Sequence, residues 1–233
     1  MRLVLFDIDG TLLQTDGAGR RAVRGALMDE LGTAGPIDGH RFDGKTDPQI
    51  VRELLTLAGF AEPEIAARMD AVFRRYLALL ETELARPEQP TRILAGARDL
   101  LAALEPHEAA DRALVGLLTG NLERGAHLKL QAAGLAPARF AVGAYGSDSG
   151  RRRDLAAVAV RRAIERTGRP CTGGDVVILG DTPEDVACGL SAGGRAVGVA
   201  SGFHGVEALR AAGATHVFAD LSDTAAVLKA ILG

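Results

Sequence analysis

The chain has 233 residues, of which 47% are apolar, 24% charged and 4% aromatic, and its 27 basic and 30 acidic side chains leave a net charge of −3. This composition excludes disorder and fibrous repeats, and the length predicts one large domain or one domain that carries a smaller one. The mild acidity and the absence of tryptophan argue against a nucleic-acid partner, because phosphate backbones attract basic surfaces and single strands stack on aromatic side chains.

Signals for membrane insertion or secretion are missing from the sequence. No apolar run approaches the ~20 residues that a membrane-spanning helix needs. The N-terminal apolar run stops at Asp7, too early for the ~7–15-residue apolar stretch of a signal peptide. Cys171 and Cys188 have neither CxxC spacing nor a histidine-rich neighbourhood. We therefore expect a reduced, cytoplasmic protein with no membrane partner.

Strand patterns alternate with helix patterns along most of the chain. Short apolar runs bounded by Gly or Asp predict strands buried on both faces, at 2–6, 114–118, 140–144, 175–179, 196–200 and 215–218. Helical periodicity lies between them, at 122–133, 154–167, 183–192, 205–212 and 223–231. This alternation predicts βαβ units and therefore an α/β fold with a Rossmann-like, doubly wound parallel sheet.

The first connection between strands is far longer than the dozen or so residues that a crossover needs. It contains helical patterns at 17–31, 48–59, 63–85 and 96–105, and the second of these has Asp47 as a predicted N-cap with Pro48 in the first turn. We predict a helical cap domain over residues 15–88, inserted into a core domain formed by residues 1–14 and 89–233.

Polar residues follow three of the predicted strands. The first strand ends in the sequence DIDGT at 7–11, the second in TGN at 119–121, and the strand at 175–179 in GDTPED at 180–185. Ligands of open α/β sheets bind at these carboxyl ends. Carboxylates gathered there repel one another unless a hard cation such as Mg²⁺ lies among them, and a carboxylate nucleophile beside Mg²⁺ suits attack on phosphorus.

The sequences DIDGT, LLTGN and ILGDTPEDV, in this order, resemble the motifs of the haloacid dehalogenase-like hydrolase superfamily. The resemblance covers essentially the whole chain. The helical insert after the first motif is similar to that of the group containing phosphoglycolate phosphatases and β-phosphoglucomutase. The resemblance implies Mg²⁺-dependent hydrolysis of a small phosphate monoester, phosphoglycolate or a similar anion, through an aspartyl-phosphate.

Four aspartates receive roles from the resemblance. Asp7 matches the nucleophile, and Asp9 matches the general acid that protonates the leaving group and then activates water. Asp7 and Asp181 match the side-chain ligands of the metal, and Asp9 its backbone-carbonyl ligand. Asp185 matches a supporting or water-mediated partner of the metal. It is also a credible member of a capping box that Thr182 begins, and the two roles are compatible.

The remaining core residues bind phosphate by the same resemblance. Thr119, with the backbone amides near Gly120 and Asn121, matches the group that holds phosphoryl oxygens, although Thr119 or Asn121 also suits a helix cap. The family usually has a lysine after the third strand, and this chain has arginines at 151–153 there instead. An arginine donates a bidentate pair of hydrogen bonds to carboxylate or phosphate. The spacing of close relatives selects Arg152, and its two neighbours stay open alternatives.

The predicted cap carries the candidate contacts to the leaving group, in the loop at 40–47. Lys45 and Arg41 offer cations for the carboxylate of a substrate such as phosphoglycolate. His40 precedes the same glycine-containing turn, so whether His40 or Lys45 touches the substrate stays open. The sequence also leaves open whether the protein is a monomer or a homodimer.

Other functions on the same fold are weighed against Asp9 and the cap. A haloacid dehalogenase or a phosphonoacetaldehyde hydrolase normally lacks the acid at the position of Asp9, although Lys45 would suit the Schiff-base lysine of the latter. A β-phosphoglucomutase keeps every core motif but has a basic residue in the cap loop, near the place of Asp47. A non-enzymatic binding module would be expected to lose one of the core aspartates. Hydrolysis of a phosphate ester is therefore the preferred interpretation.

Overall fold

A parallel sheet of six strands forms the centre of the computed structural model, which describes all 233 residues. The strands of the chain are β1 (Arg2–Phe6), β2 (Leu13–Gln14), β3 (Arg92–Ile93), β4 (Ala113–Leu118), β5 (Val142–Ala144), β6 (Val176–Gly180), β7 (Arg195–Val199) and β8 (His216–Phe218). In the large sheet their order is β5-β4-β1-β6-β7-β8, and β2 pairs with β3 in a separate antiparallel ribbon. The sheet order reverses at β1, so the crossovers diverge beside its carboxyl end.

Nine α-helices accompany these strands. They are α1 (Ala18–Leu31), α2 (Asp47–Leu57), α3 (Glu62–Leu84), α4 (Ala97–Ala109), α5 (Glu123–Ala132), α6 (Leu155–Thr167), α7 (Pro183–Ser191), α8 (Val206–Ala211) and α9 (Thr224–Leu232). The predicted α/β fold class is confirmed, and each predicted strand of the sheet is present within two residues of its expected ends. No helix is both long enough and apolar enough to cross a membrane.

The central strand shows why the sheet is covered on both faces. Leu3, Val4, Leu5 and Phe6 of β1 are fully buried. Because successive side chains of a strand point to opposite faces, Val4 and Phe6 pack with α4 and α9, whereas Leu3 and Leu5 pack with α6. A continuous apolar run is the pattern that such a doubly covered strand requires.

Helices α1, α2 and α3 pack around a hydrophobic cluster of their own. The cluster contains 17 buried residues, and only two of them, Leu122 and Leu128, come from outside the segment at 18–80. The antiparallel ribbon of β2 and β3 lies where the chain leaves the large sheet and returns to it. The division into a cap at 15–88 and a core stays a prediction.

Two predicted helix ends are wrong. The second helix was predicted to have Asp47 as N-cap, but the Thr46 hydroxyl accepts from the Gln49 N–H, at 3.2 Å, and Asp47 is the first helical residue. The helix predicted to stop at 105 continues through Pro106 to Ala109. Pro106 and Ala102, whose carbonyl loses its helical partner there, both lie on the exposed face, which reduces the cost of the missing hydrogen bond.

Candidate active site

The end of β1 carries the two aspartates of the first motif into the sheet's carboxyl edge. The Asp7 N–H donates to the Leu179 carbonyl of β6, at 2.9 Å, so the backbone continues the sheet as far as this residue. Beyond it the chain turns sharply, and Gly10 has a φ of 81° in the left-handed region. Asp7 is buried, whereas the side chain of Asp9 is 41% exposed. The two carboxylates therefore meet different surroundings although one residue separates them.

Three buried carboxylates meet at this edge. One oxygen each of Asp7, Asp181 and Asp185 lies within 4.8 Å of the others. Burial raises the pKa of Asp7 to about 6, against the attraction of the Arg152 guanidinium. Burial, together with the charges of Asp185 and Asp7, raises the pKa of Asp181 to about 9. The ionised form of this cluster is thus costly by itself, and a hard cation would stabilise it.

Two glycines make room for the Asp181 carboxylate. A Cβ on Gly10 would lie 2.3 Å from Asp181 Oδ2, and a Cβ on Gly202 would lie 1.8 Å from the same atom. Any other residue at either position would collide with this carboxylate. The turn after β1 and the loop after β7 therefore form a cradle around Asp181.

Arg152 lies between two members of the acidic cluster. Its Nη2 is 3.0 Å from Asp7 Oδ2 and also hydrogen bonds Asp185 Oδ1. Burial opposes its charge, but the two carboxylates raise the pKa of the Arg152 guanidinium above its ordinary value. The neighbouring arginines are elsewhere, since the side chains of Arg151 and Arg153 are 86% and 64% exposed. The structure thus brings only Arg152 of this run to Asp7.

Asp185 has two kinds of partner. Its Oδ2 accepts from the Thr182 N–H, at 3.1 Å, and from the Thr182 hydroxyl, at 2.7 Å, while its own N–H donates to that hydroxyl. This is a complete capping box at the start of α7. The other oxygen of Asp185 binds Arg152. The carboxylate therefore fixes both the helix terminus and the arginine.

The loop after β4 is hydrogen bonded to Asp9. The Asn121 side-chain amide donates to Asp9 Oδ2 and to the Thr119 hydroxyl, each at 2.8 Å. Lys129 of α5 donates to Asp9 Oδ2 and to Asn121 Oδ1, each at 2.6 Å. Neither Thr119 nor Asn121 caps α5, whose N-cap is Leu122 and has no side-chain cap bond.

The first residue of α2 is hydrogen bonded to this loop. The Asp47 N–H donates to the Gly120 carbonyl, at 2.7 Å, and the Asp47 carboxylate accepts from the Leu122 N–H, at 2.8 Å. A Cβ on Gly120 would lie 2.0 Å from the Lys45 carbonyl, so the two backbones need a glycine here. Burial raises the pKa of Asp47 to about 6, against the attraction of Lys129.

The basic side chains of the loop at 40–47 pair with carboxylates of the same loop or of α2. Lys45 Nζ is 2.5 Å from Glu53 Oε2, and His40 Nε2 is 2.9 Å from the same oxygen. Arg41 pairs with Asp43, at 2.7 Å, and its guanidinium lies 4.5 Å from the Phe203 ring centroid. Burial and the Lys45 charge lower the pKa of His40. No cation of this loop is left without a counter-charge.

A cavity of about 500 Å³ joins the two sides of the site. Of the nine predicted site residues, Asp185 alone does not line it; the others are Asp7, Asp9, Thr119, Gly120, Asn121, Arg152, Asp181 and Lys45. His40 is not a lining residue either, so Lys45 is the one of the two that faces the cavity. The predicted residues thus converge on one space, with the strand ends on one side and the 40–47 loop on the other.

The sequence and the structure were compared with known proteins. Residues 4–189 match the family described as haloacid dehalogenase-like hydrolase. The chain belongs to this family. The predicted resemblance is therefore confirmed, and with it the expectation of a hydrolase. Among curated proteins, none has a significantly similar sequence.

Several solved structures share the fold of this chain over nearly their whole length. A hydrolase from Pseudomonas syringae is 21% identical, with both chains covered completely and a TM-score of 0.74. A predicted phosphoglycolate phosphatase from Haemophilus somnus is 18% identical over 98% of both chains, with a TM-score of 0.70. CbbY from Rhodobacter sphaeroides, solved in complex with phosphate, is 22% identical over 96% of both chains, with a TM-score of 0.64. At these identities the comparison establishes the shared fold.

Several cavity residues of this haloacid dehalogenase-like hydrolase were not found from the sequence. Tyr76 of α3 and Phe203 after β7 line the cavity, and so does Lys129. Lys129 had a signal, because it lies seven residues after Leu122 and thus on the apolar face of the predicted helix at 122–133. A lone cation on such a face indicates a buried partner. Phe203 and Tyr76 had no comparable signal, since an aromatic residue in a loop or a core helix is ordinary.

Proposed function

We propose that this hydrolase is a Mg²⁺-dependent phosphatase that cleaves a small phosphate monoester through an aspartyl-phosphate on Asp7. The observation that carries the proposal is Asp7 itself. Its Oδ2 lies 3.0 Å from Arg152, whereas its buried Oδ1 has no hydrogen-bond partner. A buried carboxylate oxygen without a partner is costly, and it is explained by a ligand that the site is built to receive.

The donor set suits a magnesium ion. Mg²⁺ prefers oxygen ligands and keeps several of its waters, so it needs only a few protein groups. The carboxylates of Asp7 and Asp181, with the Asp9 backbone carbonyl, would hold it. Glycines at 10 and 202 keep space around the Asp181 carboxylate, and Arg152 pairs with Asp7 and Asp185 but not with Asp181. When bound, the ion would neutralise negative charge on the phosphoryl group.

The first half of the reaction transfers the phosphoryl group to the protein. An oxygen of Asp7 attacks phosphorus, and the bond between phosphorus and the leaving-group oxygen breaks. Asp9 gives its proton to that oxygen, so the product leaves as a neutral alcohol. Arg152 holds Asp7 through its Oδ2, which directs the carboxylate and leaves Oδ1 unpartnered. Thr119 and the neighbouring backbone amides would bind the phosphoryl oxygens.

The second half returns the enzyme to its starting state. Asp9, now ionised, takes a proton from a water molecule, and the resulting hydroxide attacks phosphorus. The bond from phosphorus to the Asp7 oxygen breaks, which releases inorganic phosphate and restores the Asp7 carboxylate and the Asp9 proton. The partial exposure of Asp9 suits both steps, because its side chain lines the cavity and is 41% exposed, so it can reach both the leaving group and a water molecule.

A compact anion such as phosphoglycolate is the proposed class of substrate. The cavity is lined by Lys45 and Arg152, which carry positive charge, and a phosphate with a second anionic group would suit them. The fold is shared with a predicted phosphoglycolate phosphatase, which supports the same class. The segment at 15–88 would act as the cap that separates the reaction from bulk water.

Turnover of a panel of phosphate esters tests the proposal. The purified protein should release inorganic phosphate from 4-nitrophenyl phosphate and from small alkyl phosphates such as phosphoglycolate. EDTA should abolish this release, and added Mg²⁺ should restore it, because two buried carboxylates need the cation to bind the substrate's phosphate. Activity that is indifferent to EDTA contradicts the metal assignment. Halide release from a small haloacid, without phosphate release from any ester, would show that the protein is a dehalogenase and not a phosphatase.

A further inference from the structure

One buried lysine of the site has no role in the reaction described so far. Lys129 is 5% exposed, and its ammonium group contacts Asp9 and Asn121. Burying an ammonium group costs free energy, and an apolar side chain of similar length is often the more stable choice for a helix face. The hydrogen bonds of Lys129 therefore indicate what the charge is for.

We propose that Lys129 is a positioning residue for Asp9: it fixes which oxygen of the general acid accepts hydrogen bonds and which one carries the proton. The proposal rests on the phosphatase function proposed above. Its basis is the arrangement of donors and acceptors around the Asp9 carboxylate.

Lys129 determines the orientation of the Asn121 amide. A lysine ammonium has only donors, so it requires an acceptor on Asn121, and the oxygen of the amide faces Lys129 at 2.6 Å. The amide nitrogen must then point the other way, where it donates to Asp9 Oδ2 and to the Thr119 hydroxyl. Without the lysine, the amide is free to rotate and to present its oxygen to Asp9. Lys129 thereby sets the direction of the whole chain of hydrogen bonds.

The two oxygens of Asp9 differ in their hydrogen bonding. Both donors, from Lys129 and from Asn121, reach the same atom, Oδ2, at 2.6 and 2.8 Å. No donor of the protein is hydrogen bonded to Oδ1. An oxygen that already accepts two N–H groups is a poor site for a proton, so the proton of the neutral acid is placed on Oδ1. The lysine thus orients the proton that the leaving group receives.

Lys129 is held in place by neighbouring helices. Lys129 is on α5, whose N-cap residue Leu122 donates its N–H to the Asp47 carboxylate, and the Lys129 charge attracts that carboxylate as well. A Cβ on Gly19 of α1 would lie 3.6 Å from Lys129 Nζ, so α1 closes over the ammonium group. The position of the cation is therefore fixed from several directions, which a positioning role requires.

The choice of leaving group separates this role from a merely structural one. An alkyl phosphate needs a proton on its leaving oxygen, whereas 4-nitrophenolate departs without one. In Lys129→Met, kcat/KM for the best alkyl ester should fall by roughly 10–100-fold, whereas kcat/KM for 4-nitrophenyl phosphate should change less than about threefold. Lys129→Arg, which keeps the charge and the donors, should recover part of the alkyl activity. Lys229→Met, at an exposed lysine of α9, is the matched control and should leave both values unchanged.

Removal of Lys129 also leaves the buried Asp47 carboxylate without its nearby cation, and Lys129→Met is at risk of unfolding for that reason. The double variant Lys129→Met/Asp47→Asn avoids this charge, and it is compared with Asp47→Asn alone. Equal losses on both esters in a folded variant overturn the positioning role, and so does the absence of any loss. A wild-type protein that hydrolyses no ester overturns the proposed function instead, and the role of Lys129 falls with it.

Discussion

The strand ends and the loop at 40–47 face each other across one cavity, yet their charges are held in different ways. Arg152, with a side chain 4% exposed, lies between two buried carboxylates. Lys45 and Arg41, with side chains 25% and 56% exposed, pair with Glu53 of α2 and with Asp43 of the loop. Breaking a buried pair costs about 3–5 kcal/mol, whereas an exposed pair contributes about 0–1 kcal/mol. The strand ends are therefore suited to fixed chemistry, and the loop to contacts that a substrate replaces.

The largest effect is expected at Asp7, the proposed nucleophile. Asp7→Asn keeps the shape of the side chain but removes the charge that attacks phosphorus. The turnover number for every phosphate ester should fall by several orders of magnitude, because no other carboxylate of the cluster replaces the attacking group. Steady-state phosphate release measures this, with circular dichroism to show an intact fold. A variant that keeps more than a tenth of the wild-type turnover number would place the nucleophile elsewhere.

The second largest effect is expected at Arg152, which pairs with Asp7. Arg152→Ala leaves Asp7 and Asp185 without their buried counter-charge, and it should lower kcat by about 10²–10³-fold on every ester alike. Arg151→Ala removes a neighbouring, 86% exposed guanidinium and serves as the control, with no more than a twofold change. Rates on one aryl and one alkyl phosphate test both variants. An effect confined to one ester would assign Arg152 to substrate selection rather than to the common chemistry.

The same contrast explains how far the sequence was informative. The residues after β1, β4 and β6 were predicted to converge, because the carboxyl ends of adjacent parallel strands share one edge whatever the details of packing. Asp7, Thr119 and Asp181 follow from that rule. The choice of Arg152 over its two neighbours needed the family spacing, since all three residues lie in one loop and one short turn.

Other parts of the site depend on packing between segments that are distant in the sequence. The pairing of Lys45 with Glu53 arises from the way the loop folds back on the first turns of α2, and no spacing rule specifies it. The hydrogen bond from Leu122 to Asp47 joins residues 75 positions apart. The N-cap of α2 is Thr46 and not the predicted Asp47 for the same reason, because the Asp47 carboxylate accepts the N–H of Leu122 at the start of α5. Local capping rules do not include such a competing partner.

The pH dependence of folding tests this connection between α2 and α5. Burial raises the pKa of Asp47 from 3.8 to about 6, so the folded protein binds more protons than the unfolded chain between these values. Stability contributed by this group is therefore lost as the pH rises from about 4 to 6. Asp47→Asn has no such titration. Between pH 4 and 7 the stability of the variant relative to the wild type should rise by on the order of 2–3 kcal/mol.

Urea unfolding of both proteins at several pH values measures this difference. Because the other buried carboxylates are present in both proteins, their titrations cancel in the comparison. The amide side chain of the Asp47→Asn variant keeps an oxygen that accepts the Leu122 N–H, so the hydrogen bond itself is preserved. A difference in unfolding free energy that stays constant from pH 4 to 7 would show that Asp47 is ionised as easily in the folded protein as in the unfolded chain.

The smallest effect is expected in the loop, where a substrate must compete with a carboxylate already in place. Lys45 Nζ lies 2.5 Å from Glu53 Oε2, so a carboxylated phosphate gains only the difference between two partners of the same lysine. Lys45→Met should raise KM for phosphoglycolate about 3–10-fold, and Glu53→Gln, which frees the ammonium group, should lower it. Neither substitution should change KM for 4-nitrophenyl phosphate as much, because that ester has no carboxylate. Opposite shifts of KM in the two variants would identify Lys45 as the cation that selects anionic substrates. If both variants change KM in the same direction, the pair supports the loop instead, and the second anionic group is recognised elsewhere in the cavity.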